Sequence, residues 1–291
     1  MISPTHAEHN APLLQPPVGF EEDDGLRSDY IRALTVDQIS RAATYGVADD
    51  SATAPSTIPR TLVRYWHDPD HIPPDVVRCL TTWLPLHDEG IEFRLFGDDS
   101  ARAYIAEQFD ERAVAAFDRC HHPAMRSDFF RMCFILADGG LYVDADDVLL
   151  GNEWRQVFDD RRLLVQPLAY DLNLHSMVPM EELRNVALPT SNRIFYVNNN
   201  PIAAPPRHPI IQRALDRAID TLLRNGADLE IQSTTGPGNL TASLAAHARV
   251  LAIAGESADF KILLDWYRTS EPFWDLEYRN DARNWRNIGP R

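Results

Sequence analysis

The stretch from Arg126 to Leu150, RSDFFRMCFILADGGLYVDADDVLL, limits most tightly what this chain can fold into. Its first half has the spacing of a helix. Met125, Phe129, Met132 and Leu136 recur at three- to four-residue steps, and little polar surface interrupts them. A helix that is apolar nearly all round is a buried helix. Asp128 and Arg131 break the pattern, and at i, i+3 they lie on neighbouring faces of one turn. Gly139-Gly140 ends the helix, where residues free to take positive φ are wanted. Leu141-Tyr142-Val143 then reads as a short buried strand that stops on Asp144-Ala145-Asp146-Asp147. Carboxylates placed where a strand leaves the core suit hard divalent cations and the phosphates they carry.

Taken alone, each feature has an ordinary reading. Asp144, Asp146 and Asp147 make a solvated acidic turn, Asp128 and Arg131 an internal ion pair, and Trp66 a core or rim residue. An uncompensated buried arginine would cost several kcal/mol, so Arg131 requires an anionic partner in either case. Together the residues resemble the signature of glycosyltransferases with a DXD sugar-binding motif. That group includes the yeast-type initiating α-mannosyltransferases and, more distantly, the glucosyltransferase domains of large clostridial toxins. The family pattern is roughly (A/S)-D-x-x-R, an apolar helix, then G-G-x-Y-x-D-x-D. Ser127, Asp128, Arg131, Gly139, Gly140, Tyr142, Asp144 and Asp146 stand in that order and spacing. A bare D-x-D arises often by chance; eight positions in register do not.

The resemblance implies a metal-dependent retaining transferase that moves a sugar from a nucleoside-diphosphate sugar to an acceptor hydroxyl, with Mn2+ or Mg2+ as the cation. It implies that Asp146 coordinates the metal and that Asp144 contacts metal, ribose or sugar hydroxyls. Asp128 and Tyr142 would belong to the donor site, and Arg131 would meet the sugar or diphosphate. Asp147 is expected to face away, at the sheet's edge. Similarity extends to Ile58-Pro59-Arg60 and Tyr65-Trp66, and Trp66 would then stack on the nucleotide base. It continues weakly through Ile91–Asp99, Arg207-His208-Pro209 and Thr235-Gly236-Pro237. It fades at the C-terminus. Relatives often place a metal or phosphate contact there, commonly a His followed by Ser-Trp; here Asn280, Asn284 and Trp285 occupy the stretch, with Asn284 the candidate metal ligand and Trp285 a candidate donor contact.

The rest of the chain fits around this centre. At 291 residues it has material for a substantial core. A formal charge of −15 with no Lys/Arg cluster argues against a nucleic-acid surface. Cys79, Cys120 and Cys133 are odd in number and lack metal spacing, which suits a reducing compartment. No apolar run is long enough to cross a membrane, so the expectation is a cytoplasmic, unanchored protein. Asn239-Leu240-Thr241 matches a glycosylation acceptor, which matters only in a secretory compartment.

Residues 1–57 read as an N-terminal extension. Residues 1–25 form an irregular arm or surface-hugging tail; Leu26–Val47 follows as one or two helices, and Asp49–Thr57 as a linker. From Ile58, strand and helix signals alternate. Strands are expected at Thr61–Trp66, Ile91–Phe96, Leu141–Val143, Leu163–Val165 and Phe195–Val197, with helices between them and at Pro209–Leu223 and Asn239–Ala248. That order predicts an α/β sandwich with a mostly parallel sheet over 58–291, of the GT-A type on the family resemblance. Ligands of such sheets gather at strand carboxyl ends, where Trp66, Asp98 and Asp144 fall. Phe260–Arg291 carries no clear pattern.

Other motifs fail. A calcium loop from Asp144 lacks Gly at its sixth position (Leu149) and Glu at its last (Arg155). Gly236-Pro237-Gly238-Asn239 lacks the Gly-Lys-Ser/Thr of a P-loop. His121-His122 and His208 have no partner cluster at metal spacing. Arg193 and Asn198–Asn200 are candidates for the acceptor side. Two further function classes remain open on sequence. A sugar-phosphate nucleotidyltransferase would require a Gly-rich phosphate loop that Trp66-His67-Asp68-Pro69 does not provide. A non-catalytic nucleotide-sugar-binding scaffold would keep the fold without turnover. Sugar, nucleotide and acceptor (polysaccharide, lipid-linked glycan, metabolite or protein) and oligomeric state are not encoded in readable form.

Overall fold

The computed structural model describes residues 13–45, 58–224, 229–281 and 283–284. In chain order the elements are α1 (Asp24–Tyr45), β1 (Thr61–Tyr65), α2 (Pro74–Thr81), β2 (Glu92–Phe96), α3 (Asp98–Gln108), α4 (Glu111–Asp118), α5 (Pro123–Ala137), β3 (Gly140–Tyr142), β4 (Asp147–Leu149), β5 (Leu163–Asp171), β6 (Ser176–Met177), α6 (Met180–Leu183), β7 (Arg193–Ala204), α7 (Pro209–Arg224), α8 (Ile231–Thr234), α9 (Pro237–Ala254), β8 (Phe260–Ile262) and β9 (Ser270–Pro272). Among the described residues, seven strands form the central sheet, in the order β2-β1-β3-β7-β5-β6 with β8 also on β5. β2, β1 and β3 run parallel. β7 opposes β3 and β5, so β5 and its parallel neighbour β8 point with β3, while β6 opposes them. Five of the seven strands thus share one direction, the mostly parallel sheet expected of the strand–helix alternation.

The two sheet faces follow from the pleat, which sends successive side chains to opposite sides. Val63, Tyr65, Tyr142, Leu163, Val165 and Ile202 join the larger core, with Phe129, Phe130 and Phe134 of α5 and the apolar stripes of α7 and α9. Leu62, Leu141, Val143, Leu164 and Ala203 face the other way, onto Trp83, Trp154 and Trp266. α5 is buried from Met125 to Leu136 on almost every side, as its composition required. His122 caps it by accepting the Ala124 N–H at Nδ1 (3.0 Å), and Pro123 opens its first turn.

Gly139 and Gly140 take φ of +72° and +109°, which lets the chain reverse from α5 into β3. Space demands glycine as well: a Cβ on Gly139 would lie 2.8 Å from Pro206, and one on Gly140 2.8 Å from the Thr61 carbonyl. The short β3 therefore enters the sheet beside β1 at a fixed register, and Asp144 follows at its carboxyl end.

The N-terminal region is more regular than its sequence suggested. α1 is one helix of 22 residues, and Tyr30, Ile31 and Leu34 contribute to the larger core. Ser28 Oγ accepts the Phe195 N–H (2.8 Å), and Arg32 donates to the Leu183 carbonyl (2.9 Å). The described part of the expected arm lies against the body, with Phe20 buried. The unpatterned C-terminal stretch supplies β8 to the sheet edge and β9, which pairs antiparallel with β4 directly after the acidic turn.

Candidate active site

A cleft of about 710 Å3 opens where β1 and β3 end, a size suited to a small-molecule ligand. Asp128, Arg131, Asp144, Asp146 and Trp66 all line it. Arg131 is the hub on one side. Its Nη2 pairs with Asp144 Oδ1 at 2.8 Å and Asp128 Oδ1 at 3.2 Å, and also donates to Ser127 Oγ at 2.9 Å. Nη1 donates to the Asn199 carbonyl (2.7 Å), and the guanidinium lies 4.2 Å from the Tyr142 ring centroid. Burial disfavours the charge, but Asp144, Tyr142 and Asp128 more than offset it, so Arg131 is held firmly protonated. Tyr142 is fully buried; its hydroxyl shares a hydrogen bond with Ser127 Oγ (2.8 Å) and donates to Asp144 Oδ1 (3.0 Å).

Burial also shifts Asp128. Desolvation raises its pKa to about 6 even though Arg131, Asn199 and Thr235 favour its charged form. Asn199 Nδ2 donates to Oδ1 at 2.7 Å and Thr235 Oγ1 to Oδ2 at 3.4 Å. Asn200 accepts the Asp144 N–H at Oδ1 (3.1 Å) and donates to Asp147 Oδ1 (3.2 Å). β7 thus crosses beneath the acidic turn and fixes it at two places.

The other side of the cleft belongs to Asp146. Its Oδ2 accepts from the Tyr278 hydroxyl and from Arg279 Nη2, both in the single helical turn Glu277–Asn280. Burial, then the Asp144 charge, raises its pKa. Trp66 is buried against Tyr278, whose ring meets it edge-on at 5.3 Å. Asp147 turns inward instead of lying at the edge. It accepts from Asn200 and from Ser270 Oγ (3.1 Å), and its pKa is raised by burial and by the charges of Asp146 and Asp144. The expectation of an outward Asp147 failed because β9 covers that edge. Near it lies Arg64, fully buried with its guanidinium 4.8 Å from the Trp83 ring; burial lowers its pKa to about 10 while Asp147 and Asp146 oppose the fall.

Residues 73–162 match the glycosyltransferase sugar-binding region containing a DXD motif. Asp144-Ala145-Asp146 lies within that span, as do Asp128 and Arg131. No curated protein matches the chain. A solved structure described as PaToxG glycosyltransferase is similar over 90% of this chain and 96% of that one, at 15% identity and a TM-score of 0.43.

Around the DXD motif the sequence-predicted residues divide clearly. Asp128, Arg131, Tyr142 and Asp144 form one hydrogen-bonded group; the internal Asp128–Arg131 pair is realised, but within a network that reaches Asp144 at the cleft. Trp66 and Asp146 meet on Tyr278. Asn284 lines the cleft and its Nδ2 donates to the Arg279 carbonyl (2.8 Å); Trp285 lies outside the described residues. Asp98 instead pairs with Arg126 at 2.8 Å, and Arg193 pairs with Asp171 at 2.9 Å. Asn199 and Asn200 support the carboxylates and do not simply line an acceptor side. Tyr278 and Arg279 lay in a stretch without periodicity, so no pattern in the sequence marked them.

The carboxylates offer the donor set of a hard cation. Mg2+ and its like take one or two carboxylates and complete the shell with phosphate oxygens and water. The side-chain hydrogen bonds described above fall on Oδ1 of Asp144 and Oδ2 of Asp146, so each carboxylate keeps acceptor capacity for a cation. Among the described residues no group of three or more His, Cys, Asp or Glu forms a closed metal cage.

Proposed function

We propose that this protein is a hexosyltransferase that carries a sugar from a nucleoside-diphosphate sugar to an acceptor hydroxyl with the help of Mn2+ or Mg2+. The observation that carries this reading is the buried Arg131, which joins Asp128 and Asp144 at one end of a cleft that also holds Asp146 and Trp66. Asp144 and Asp146 are assigned to the cation, with Asn284 as the proposed third contact. When bound, the cation supplies positive charge to the departing diphosphate. Arg131, fixed by Asp144, Asp128, Ser127 and the Asn199 carbonyl, holds a positive charge beside the cleft that needs no rearrangement as negative charge develops. Asp128, with acceptor capacity beyond its bonds to Asn199 and Thr235, orients sugar hydroxyls together with Asp144. Tyr142 holds Asp144 in place from within the core. Trp66 is assigned to the nucleotide base.

Retention of anomeric configuration rests on the family resemblance, with the acceptor hydroxyl entering on the face that the leaving group vacates. We place the chemistry in residues 58–291, with the preceding segment as a buttress that α1 packs onto β7. We assign the protein to the cytoplasm, a compartment in which its three buried free cysteines stay reduced. The acceptor classes remain those the sequence left open, polysaccharide biosynthesis included.

The test is to incubate the protein with UDP-, GDP-, CDP- and dTDP-hexoses, with and without Mn2+, and to measure nucleoside diphosphate release. Release from one donor class, dependent on metal and lost in Asp144→Asn, supports the reading; the product anomer, read by NMR, decides retention. The contact of Arg279 with Asp146 favours one second reading, a nucleotide-sugar-binding protein without turnover. Metal-dependent donor binding with no release or transfer would establish it.

A further inference from the structure

Asp146 already has a cation. Arg279 Nη2 lies 2.5 Å from Oδ2, and the Tyr278 hydroxyl donates to the same oxygen. The segment that carries them is anchored on both sides of the acidic turn. β9 pairs with β4, the Phe273 N–H donates to the Asp146 carbonyl (2.9 Å), and the Glu277 N–H donates to Asp75 Oδ2 (2.7 Å). Leu276 packs in one small core with Trp66 and Ala145. The Arg279 guanidinium rests 4.2 Å from the ring centroid of Trp274, a residue 53% exposed. Arg279 is therefore aimed at the second carboxylate of the DXD motif by design of the whole segment, yet it reaches that carboxylate along a solvent-facing aromatic ring.

A divalent cation on Asp146 would share one carboxylate with this guanidinium. Two positive charges within about 4–5 Å in a partly buried site repel strongly. We propose, on the glycosyltransferase reading above, that Arg279 is a placeholder cation which competes with the metal for Asp146 and yields it when a nucleoside diphosphate arrives. The diphosphate gives Arg279 a new anionic partner as the metal takes Asp146. Metal and nucleotide binding are then coupled through this one side chain, and metal alone binds weakly. Asp144 keeps its own arginine throughout, because Arg131 is locked in the core. Arg279 thus acts on the metal through Asp146 and meets the nucleotide only once it has left that carboxylate.

The test measures Mn2+ binding directly, by the loss of the free-ion EPR signal, in the full chain and in R279Q. Each titration is run alone and with UDP, GDP, CDP or dTDP. R279Q is expected to bind Mn2+ alone about tenfold more tightly than the unaltered protein, because the competing charge is gone. The factor by which nucleotide enhances Mn2+ binding should shrink correspondingly, and R279K should restore it. Unchanged or weaker Mn2+ binding in a cooperatively melting R279Q overturns the proposal, as does undiminished binding in D146N. Should R279Q fail to fold, W274A removes the ring on which Arg279 rests and should tighten Mn2+ binding in the same direction; no change there overturns it. If the unaltered protein binds none of the nucleotides with Mn2+, the donor reading fails, while the metal-only comparison still decides the role of Arg279.

Discussion

The two ends of the DXD motif are both paired with an arginine, and the pairs are of opposite kinds. Asp144 meets Arg131, 13 residues earlier in the same signature; Asp146 meets Arg279, 133 residues later. Arg131 is 4% exposed, bonded at every edge and stacked on a buried tyrosine, whereas Arg279 is 15% exposed and rests on a half-exposed tryptophan. The first pair is architecture: removing Arg131 leaves Asp128 buried with no counter-charge, beside an Asp144 that is 32% exposed at the cleft. The second pair sits where the chain can exchange partners. Two neighbouring carboxylates of one short motif are thus divided between a rigid role and a replaceable one.

The sharpest way to break this comparison is at Asp146. Asp146→Ala should abolish Mn2+-dependent nucleotide binding and lower turnover by about 10^3-fold or more, since the proposed metal contact is lost; metal-dependent binding that survives would move the cation elsewhere. Arg131→Met comes next and should act on stability first. Breaking one side of a buried ion network costs about 3–5 kcal/mol, measured by urea unfolding, while Arg279→Met should cost less, about 1–3 kcal/mol, because Asp146 is left buried but keeps its bond from the Tyr278 hydroxyl. Equal losses for the two would erase the distinction.

The third prediction is a pH profile. Asp128 titrates near 6 in the folded protein against 3.8 ordinarily, because burial disfavours its charge. Between those values the folded state holds more protons than the unfolded one. The stability this group contributes is therefore complete below about 3.8 and lost as pH rises to about 6. Donor recognition runs the other way, since an ionised Asp128 is the better acceptor of sugar hydroxyls. kcat/KM should rise with pH on an acid limb centred near 6, and Asp128→Asn should flatten that limb at a lower value. The smallest effect belongs to Trp66→Ala, which should weaken nucleotide binding by about 1–2 kcal/mol, in the range of one base stack, with kcat little changed.

Much of the fixed half of the site was legible in the sequence, because its parts are local. The apolar spacing of Met125 to Leu136 announced a buried helix, a buried Arg131 demanded anions, and Gly139-Gly140 dictated the turn that delivers Asp144. The exchangeable half was not legible. Tyr278 and Arg279 reach Asp146 through β9, a three-residue strand whose partner β4 is equally short, and neither is long enough to print a period. Asn199 and Asn200 read as a polar loop yet lie inside β7, where their side chains satisfy Asp128 and Asp147 in place of solvent. The inward turn of Asp147 was hidden for the same reason: the cover over its edge comes from residues far along the chain. α1 reads as one or two short helices since its apolar residues are few, and its continuity goes with its packing on β7 and α9.

The central claim, that the two carboxylates of the DXD motif and Arg131 form a metal-assisted nucleotide-sugar site, is tested most directly by thermal shift. UDP, GDP, CDP and dTDP sugars are each added with and without Mn2+, and binding to the folded state raises Tm by mass action. The account predicts a rise with one nucleotide class, only when Mn2+ is present, and none in Asp146→Ala. A cooperative melt that no donor shifts under either condition would contradict it.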